Sequence, residues 1–255
     1  MKTSNSELST YLSLCTQYYD ADKPTVPTKE FAFYFEYANQ INGPILEPMC
    51  GTGRFLIPLM EKGINIQGFD ASPYMLQALN KKAAEKKLKA KVWQGFLENL
   101  SRKEKYSLIF IPCASFGLIT DLSQALLCLQ KIYHHLTNDG LFVFEVETLK
   151  AVPSQLNLWK GDIKRKSNGD SIVASFLSLP PKNNLFTSIC RYELIKKNSI
   201  VKTEIENFKI RLYEPKQICS LLKEAGFTSI KLKALHHKKN ECDEVLIYEC
   251  SKKKS

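Results

Sequence analysis

The 255-residue chain has no run of about 18 or more apolar residues, the length at which a helix begins to span a bilayer. Its opening stretch, MKTSNSELSTYLSLC, lacks the continuous apolar segment that a secretory signal requires. The expected location is therefore cytoplasmic, with no membrane partner. Eight cysteines stand singly at positions 15, 50, 113, 128, 190, 219, 242 and 250, with no C-x-x-C pair among them. That spacing argues against a zinc site and a disulfide framework, so free thiols and no metal are expected. Internal repeats and low-complexity segments are also missing.

What is present is an ordinary globular composition, 44% apolar and 24% charged, enough for one large α/β domain with an insertion. Lysine and arginine outnumber acids by 36 to 26, a net charge of +10. An excess of this size can signal nucleic acid. Here many lysines gather at the end of one helical segment (Lys81, Lys82, Lys86, Lys87, Lys89, Lys91) or in the tail (Lys252, Lys253, Lys254). There they solvate a helix face or complement its dipole, and a nucleic-acid partner is disfavoured.

Residues 1 to about 40 read as helical and rich in aromatics, interrupted near Pro24 and Pro27. From residue 44 short apolar runs at 45–48, 65–69, 91–94, 107–112 and 141–146 alternate with amphipathic stretches, which predicts parallel βαβ units. Ser72 followed by Pro73, with Met75, Leu76 and Leu79 on one stripe, predicts a helix starting just after Asp70. Residues 158–213 break this rhythm. Runs at 171–179, 185–195 and 200–212, separated by Asn168-Gly169-Asp170, Asn183-Asn184 and Lys197-Asn198-Ser199, predict three or four antiparallel strands. A helix over 215–225, ended by Gly226, precedes runs at 228–235 and 245–250 that can pair as a terminal hairpin.

The chemistry concentrates at 45–57, ILEPMCGTGRFLI, a buried strand, a glycine turn and a helix start. Gly51 and Gly53 let backbone approach a ligand where a Cβ would collide. Leu56 stands where a dinucleotide fingerprint needs a third small residue, which disfavours a pyrophosphate ligand and an NAD-dependent oxidoreductase. Asp70 closes the next strand, where a carboxylate can accept from both hydroxyls of an adenosine ribose, and Glu47 adds a second acid at the same edge. Two acids suit a ligand carrying an ammonium and a sulfonium, and suit a phosphate poorly.

Four segments in order, LEPMCGTGR (46–54), GFDASPYML (68–76), WQGFLENL (93–100) and LIFIPCASFGLI (108–119), resemble the class I S-adenosylmethionine methyltransferases, on their small-molecule (type 11/25-like) branch. The stretch from AGFTSIKL through EVLIYEC resembles the family's closing strands, and 191–213 resembles the β insertion of its small-molecule members. The resemblance implies an α/β fold: a Rossmann-like, doubly wound seven-stranded sheet with the last strand antiparallel, an N-terminal helical cap and an antiparallel β insertion. The boundaries expected are 1–43 for the cap or lid, 44–157 for the cofactor-binding core, 158–213 for the insertion over the acceptor site, and 214–255 for the elements completing the core.

The resemblance also implies S-adenosylmethionine as cofactor. Glu47, Gly51 and Gly53 would hold its methionine part, Asp70 its ribose, and Ala71 and Met75 its adenosine pocket. Phe96 stands where many relatives have an acid for the adenine, so that contact would fall to Gln94 or to the backbone around Gly95. Met49 replaces a common glycine. Tyr11, Tyr19 and Arg54 are further cofactor candidates, together with Pro112, Cys113 and Phe116 after the fourth strand, where methyl group and acceptor meet. That segment lacks the acid or amide, paired prolines and aromatic of the nucleic-acid amino-methyltransferases, which favours a small-molecule acceptor, methylated on N or O. The insertion covers the acceptor in such relatives and can help form a homodimer.

Transfer from a sulfonium needs alignment more than acid–base machinery. An amine acceptor must arrive uncharged, which desolvation under Tyr11, Tyr18, Tyr19, Trp159 and Tyr213 favours. Glu145 or Tyr19 could then take the released proton, and Arg191, with Arg165 and Arg211, could meet an anionic group on the acceptor. His134 and His135 fall at a helix end away from the expected ligand edge. The rival readings are an RNA or protein methyltransferase and a catalytically silent S-adenosylmethionine-binding regulator.

Overall fold

The computed structural model describes residues 9–166, 168–233 and 244–252. Five parallel strands carry the first half of the chain: β1 (Ile45–Pro48), β2 (Ile66–Asp70), β3 (Lys91–Gln94), β4 (Tyr106–Ile111) and β5 (Leu136–Glu147). The chain steps outward from β1 to β2 to β3, then returns to the other side of β1 for β4 and β5. That reversal opens a crevice beyond the carboxyl ends of β1 and β4, the usual ligand position in such sheets. Two late strands, β10 (Ser229–Lys233) and β11 (Val245–Ser251), extend the sheet past β5 as an antiparallel pair. The order is β10-β11-β5-β4-β1-β2-β3, with β11 alone running against the rest. The Rossmann-like sheet implied by the sequence is the one observed.

Helices cover both faces. Ser72 caps α4 (Pro73–Glu85), its hydroxyl accepting from the Met75 N–H at 3.2 Å, and Met75, Leu76, Leu79 and Ala83 turn one stripe to the sheet. Asp121 caps α5 (Leu122–His135) in the same way through Gln124. The expected fifth strand was short; β5 begins at Leu136, with a register shift opposite Tyr106 and Leu108 that absorbs Asn138, Asp139 and Gly140. The expected run at 228–235 continues beyond Lys233 outside the described residues, as do Lys253, Lys254 and the first eight positions.

The insertion is a second sheet, β6 (Trp159–Arg165), β7 (Ser171–Lys182), β8 (Leu185–Lys196) and β9 (Ser199–Arg211), in that order and antiparallel throughout. Its tight turns have the expected chemistry: Asn183 and Asn184 both adopt positive φ (52° and 59°), as do Lys197 and Asn198 (44° and 62°). Turns of that hand match strand twist, and asparagine tolerates them.

The aromatic N-terminal region divides its allegiance. The helix α1 (Ser13–Asp22) packs Leu14, Cys15 and Tyr18 onto Ile172, Ala174, Cys190 and Tyr192 of the insertion. By contrast α2 (Thr28–Gln40) buries Tyr34 and Ala38 against Phe55, Phe110 and the central sheet. With no capping side chain of its own, α1 draws one from afar: the N–H groups of Leu12 and Leu14 donate to Glu206 and Glu204 on β9.

Candidate active site

A cavity of about 460 Å³ opens at the carboxyl edge of β1, β2 and β3. Its floor is the glycine turn after β1, held to β2 by Asp70. One oxygen of that carboxylate accepts from Gly51 N at 2.8 Å and the other from Ser72 N at 2.8 Å. Burial raises the Asp70 pKa, against the pull of these backbone donors.

The two glycines of the turn have different work. Gly51 has φ +53° and nothing within 4 Å of where a Cβ would stand, so it leaves open space at the cavity. Gly53, at φ +79°, would drive a Cβ to 2.8 Å from Leu79 and 3.0 Å from Ile57. Gly53 therefore serves the packing of the turn onto α4 and does not line the cavity, a correction to the expectation that both approach the ligand. Met49 adopts φ 58°, so it keeps the left-handed backbone of the glycine common at that position. Strain of this kind costs an L-residue about 1–2 kcal/mol.

Glu47 lies behind the turn, 2% exposed. It accepts the Leu56 N–H, while its Oε2 has no hydrogen-bond partner among the described residues. Burial, and then the charge of Asp70, push its pKa well above the ordinary carboxylate value. An orphaned buried carboxylate oxygen beside a second acid is a place for a cation. Arg54 stands nearby with its guanidinium on the Tyr19 hydroxyl and 3.4 Å from Glu30, its Nε unpartnered.

Among the other expected cofactor residues, Tyr11, Tyr19, Ala71, Met75, Gly95 and Phe96 line the cavity. Gln94 does not; its amide donates to the Ala71 carbonyl at 3.1 Å and fixes the loop instead. Of the segment after β4, Ser115 reaches the cavity while Pro112 is buried and Phe116 is packed between Phe144 and Tyr213. Cys113 and Ala114 both have positive φ (57° and 52°), and their N–H groups are held by Glu145.

Glu145 thus faces the loop and not the cavity, with the Tyr34 hydroxyl donating to it at 2.6 Å. Its position argues for anchoring and against a proton-accepting role. Burial raises the Tyr19 hydroxyl and pushes the Cys113 thiol up to about 12, so both stay protonated at neutral pH.

The expected acceptor residues fall elsewhere. Tyr18 packs between Phe176 and Tyr192 with its hydroxyl donating to Asp162 at 2.7 Å. Trp159 is half exposed on the edge strand β6, with Arg191 stacked 5.7 Å from its ring. Tyr213 is fully buried in the main core. Arg165 is exposed, and Arg211 donates to the Thr120 carbonyl at 2.6 Å. His134 and His135 end α5 at the opposite edge of the sheet, where His135 accepts from Arg102 N. The far wall of the cavity comes instead from Leu118 and Ile119 at the end of the segment after β4, and from residues with no motif: Thr120 and Gln124, and Asn207 and Lys209 on β9.

Residues 45–140 match the model of the methyltransferase domain family. Over that stretch the chain is similar to this family. A protein of Geobacillus sp. (strain WCH70) named as a methyltransferase is 27% identical over 113 residues, 44% of this chain and 46% of its own. The chain spans about half the length of the curated relatives it matches. Among solved structures, an S-adenosylmethionine-dependent methyltransferase from Clostridium acetobutylicum ATCC 824 is similar at TM-score 0.75 and 20% identity, over 92% of this chain and 96% of that one. The sugar N-methyltransferase KedS8 from Streptoalloteichus sp ATCC 53650 is similar at TM-score 0.74 and 15% identity over 99% of both chains. At these identities the likeness is one of fold, and its coverage takes in the insertion as well as the seven-stranded sheet. No helix among the described residues is long and apolar enough to cross a membrane.

Proposed function

We propose that this chain transfers the methyl group of S-adenosylmethionine to a nitrogen or oxygen of a small-molecule acceptor. The observation that carries the reading is the orphaned Oε2 of Glu47, buried behind the turn within electrostatic reach of Asp70, which itself lines the cavity. Glu47 would meet the ammonium of the methionine part, Arg54 with Tyr19 its carboxylate, and Asp70 the ribose hydroxyls. Met75, Phe96 and Leu97 offer apolar walls to the adenine. When bound, the sulfonium supplies an already activated methyl group. The chain's own part is to orient and to exclude water. Tyr11 and Tyr19 cover the site, and Glu145 with Tyr34 fixes the loop that borders the acceptor. Since Tyr19 and Cys113 remain protonated, neither is set up as a base.

The cavity supports a small acceptor, approaching between Asn207, Lys209 and Thr120. Two of the lysines behind the basic charge are engaged in ion pairs, Lys82 with Asp20 and Lys86 with Glu61, which fits a solvated helix better than a nucleic-acid surface. A homodimer through the insertion is part of the same reading: Trp159, Ile163 and Ile205 are about half exposed or more and share one face of the sheet. Calorimetry with S-adenosylhomocysteine, followed by a screen of labelled methyl transfer over a metabolite extract, tests the function. Stabilisation by NAD with no response to S-adenosylhomocysteine would overturn it.

A further inference from the structure

The segment entering α1 crosses the cavity as a strap. Ser9, Thr10 and Tyr11 all line the cavity, and Tyr11 is tied on both sides. Its carbonyl accepts from the Ser72 hydroxyl at 2.6 Å. On the other side, the Thr10 hydroxyl (3.0 Å), Tyr11 N (2.8 Å) and Leu12 N (2.9 Å) all donate to the single carboxylate of Glu206. Glu206 is 1% exposed and contributes nothing to the cavity lining. Its neighbour on the same face of β9, Glu204, takes the Leu14 N–H.

Tyr11 itself has φ 57°, a left-handed backbone disfavoured for an L-residue. Its ring rests edge-on against Phe208, one strand turn beyond the carboxylate. A strained residue held from two sides stays closed only while its ties hold. The ties also run onward: Ser72 shares Asp70 with Gly51, so strap, cofactor turn and β9 form one hydrogen-bonded path.

We propose that Glu206 is a positioning residue that latches the strap across the cofactor cavity, so that S-adenosylmethionine enters and S-adenosylhomocysteine leaves when this carboxylate releases Thr10, Tyr11 and Leu12. The inference rests on the reading of the cavity as the S-adenosylmethionine site. A carboxylate is needed because all its bonds here are accepted, and an amide at the same place turns one acceptor into a donor facing a donor. The next residue, Asn207, reaches the cavity, which sets an acceptor bound there directly beside the latch.

The test is Glu206→Gln, read in two ways. Hydrogen exchange of the ligand-free protein is expected to quicken about tenfold at the amides of Tyr11, Leu12 and Leu14 and to stay at wild-type rates in α4. Stopped-flow binding of S-adenosylhomocysteine is expected to show association and dissociation both faster by about tenfold, because a gate acts on passage in both directions. A residue that merely touched the ligand would change dissociation alone. Should Glu206→Gln fail to fold, Thr10→Val withdraws one donor and is expected to raise both rates about threefold. Faster exchange with both binding rates unchanged would overturn the gate, and unchanged exchange would overturn the latch. Failure of the wild-type chain to bind S-adenosylhomocysteine is a separate result, which would remove the cofactor reading while the exchange comparison still judges the latch.

Discussion

Gly51 donates its backbone N–H to a carboxylate oxygen of Asp70 across 2.8 Å, joining the turn after β1 to the end of β2. The acid is therefore both a wall of the cavity and a brace for the turn beneath it. Asp70→Ala removes both roles and is expected to weaken S-adenosylhomocysteine binding by about 1 to 3 kcal/mol in calorimetry. Asp70→Asn keeps one oxygen for the brace and should fall between. Unchanged affinity in both variants would make Asp70 structural only.

The glycines of the same turn separate packing from binding. Gly53→Ala forces a Cβ onto Leu79 in a left-handed backbone, and is expected to cost about 2 to 3 kcal/mol of stability in denaturant titration. Gly51→Ala meets no neighbouring atom and bears backbone strain alone, about 1 kcal/mol, while its methyl group enters the space offered to the ligand. It should fold well and bind poorly. The reverse pattern would exchange the two assignments.

Much of this was legible in the sequence, and the parts that were not share a cause. The parallel core announced itself because each strand is a short apolar run bounded by turn residues, and the capped helix after Asp70 is written in Ser72 and Pro73. The turn and its acids were legible as a motif, since consecutive βα units bring them to one edge by topology alone. The chemistry of Trp159, Tyr18 and Tyr213 suits an acceptor site, but whether an aromatic faces a cavity depends on strand register and on what packs behind it. In β9, alternation turns Phe208 and Ile210 inward and leaves Asn207 and Lys209 to reach the cavity, and nothing local in that sequence marks which face meets a ligand. Glu206 escaped notice for the same reason: its partners lie some 195 positions away.

Glu145 was a candidate base and is placed as an anchor. Glu145→Gln keeps an oxygen for the loop or for Tyr34, and is expected to hold kcat within about tenfold of wild type once an acceptor is found. Tyr34→Phe should cost about 1 kcal/mol of stability with a small effect on rate. Near-complete loss of turnover in Glu145→Gln, with folding intact and a shifted pH–rate profile, would restore the proton-accepting role.

The dimer reading turns on Ile205, 63% exposed on the edge strand β9, on the face it shares with Trp159 and Ile163 of β6. Ile205→Glu sets like charges together across a two-fold contact and should give a monomer in sedimentation velocity, with S-adenosylhomocysteine affinity retained. A wild-type chain that already sediments as a monomer at high concentration would end this reading without touching the cavity.

Glu47 joins stability to function with opposite signs. A carboxyl whose folded pKa is raised favours folding most while protonated. Its contribution is full below the ordinary value of 4.5 and is lost as pH rises through the raised one. As pH rises above 4.5 the chain therefore bears a growing cost, of holding the proton on Glu47 or of ionising it beside Asp70, which a bound ammonium would relieve. Glu47→Gln removes that cost. Its ligand-free melting temperature should exceed the wild type's above pH 6, with the two curves converging toward pH 4, while affinity for S-adenosylhomocysteine falls by about tenfold. A parallel offset at every pH would mean that Glu47 is not the titrating group, and unchanged affinity would mean that its orphaned oxygen meets no cation.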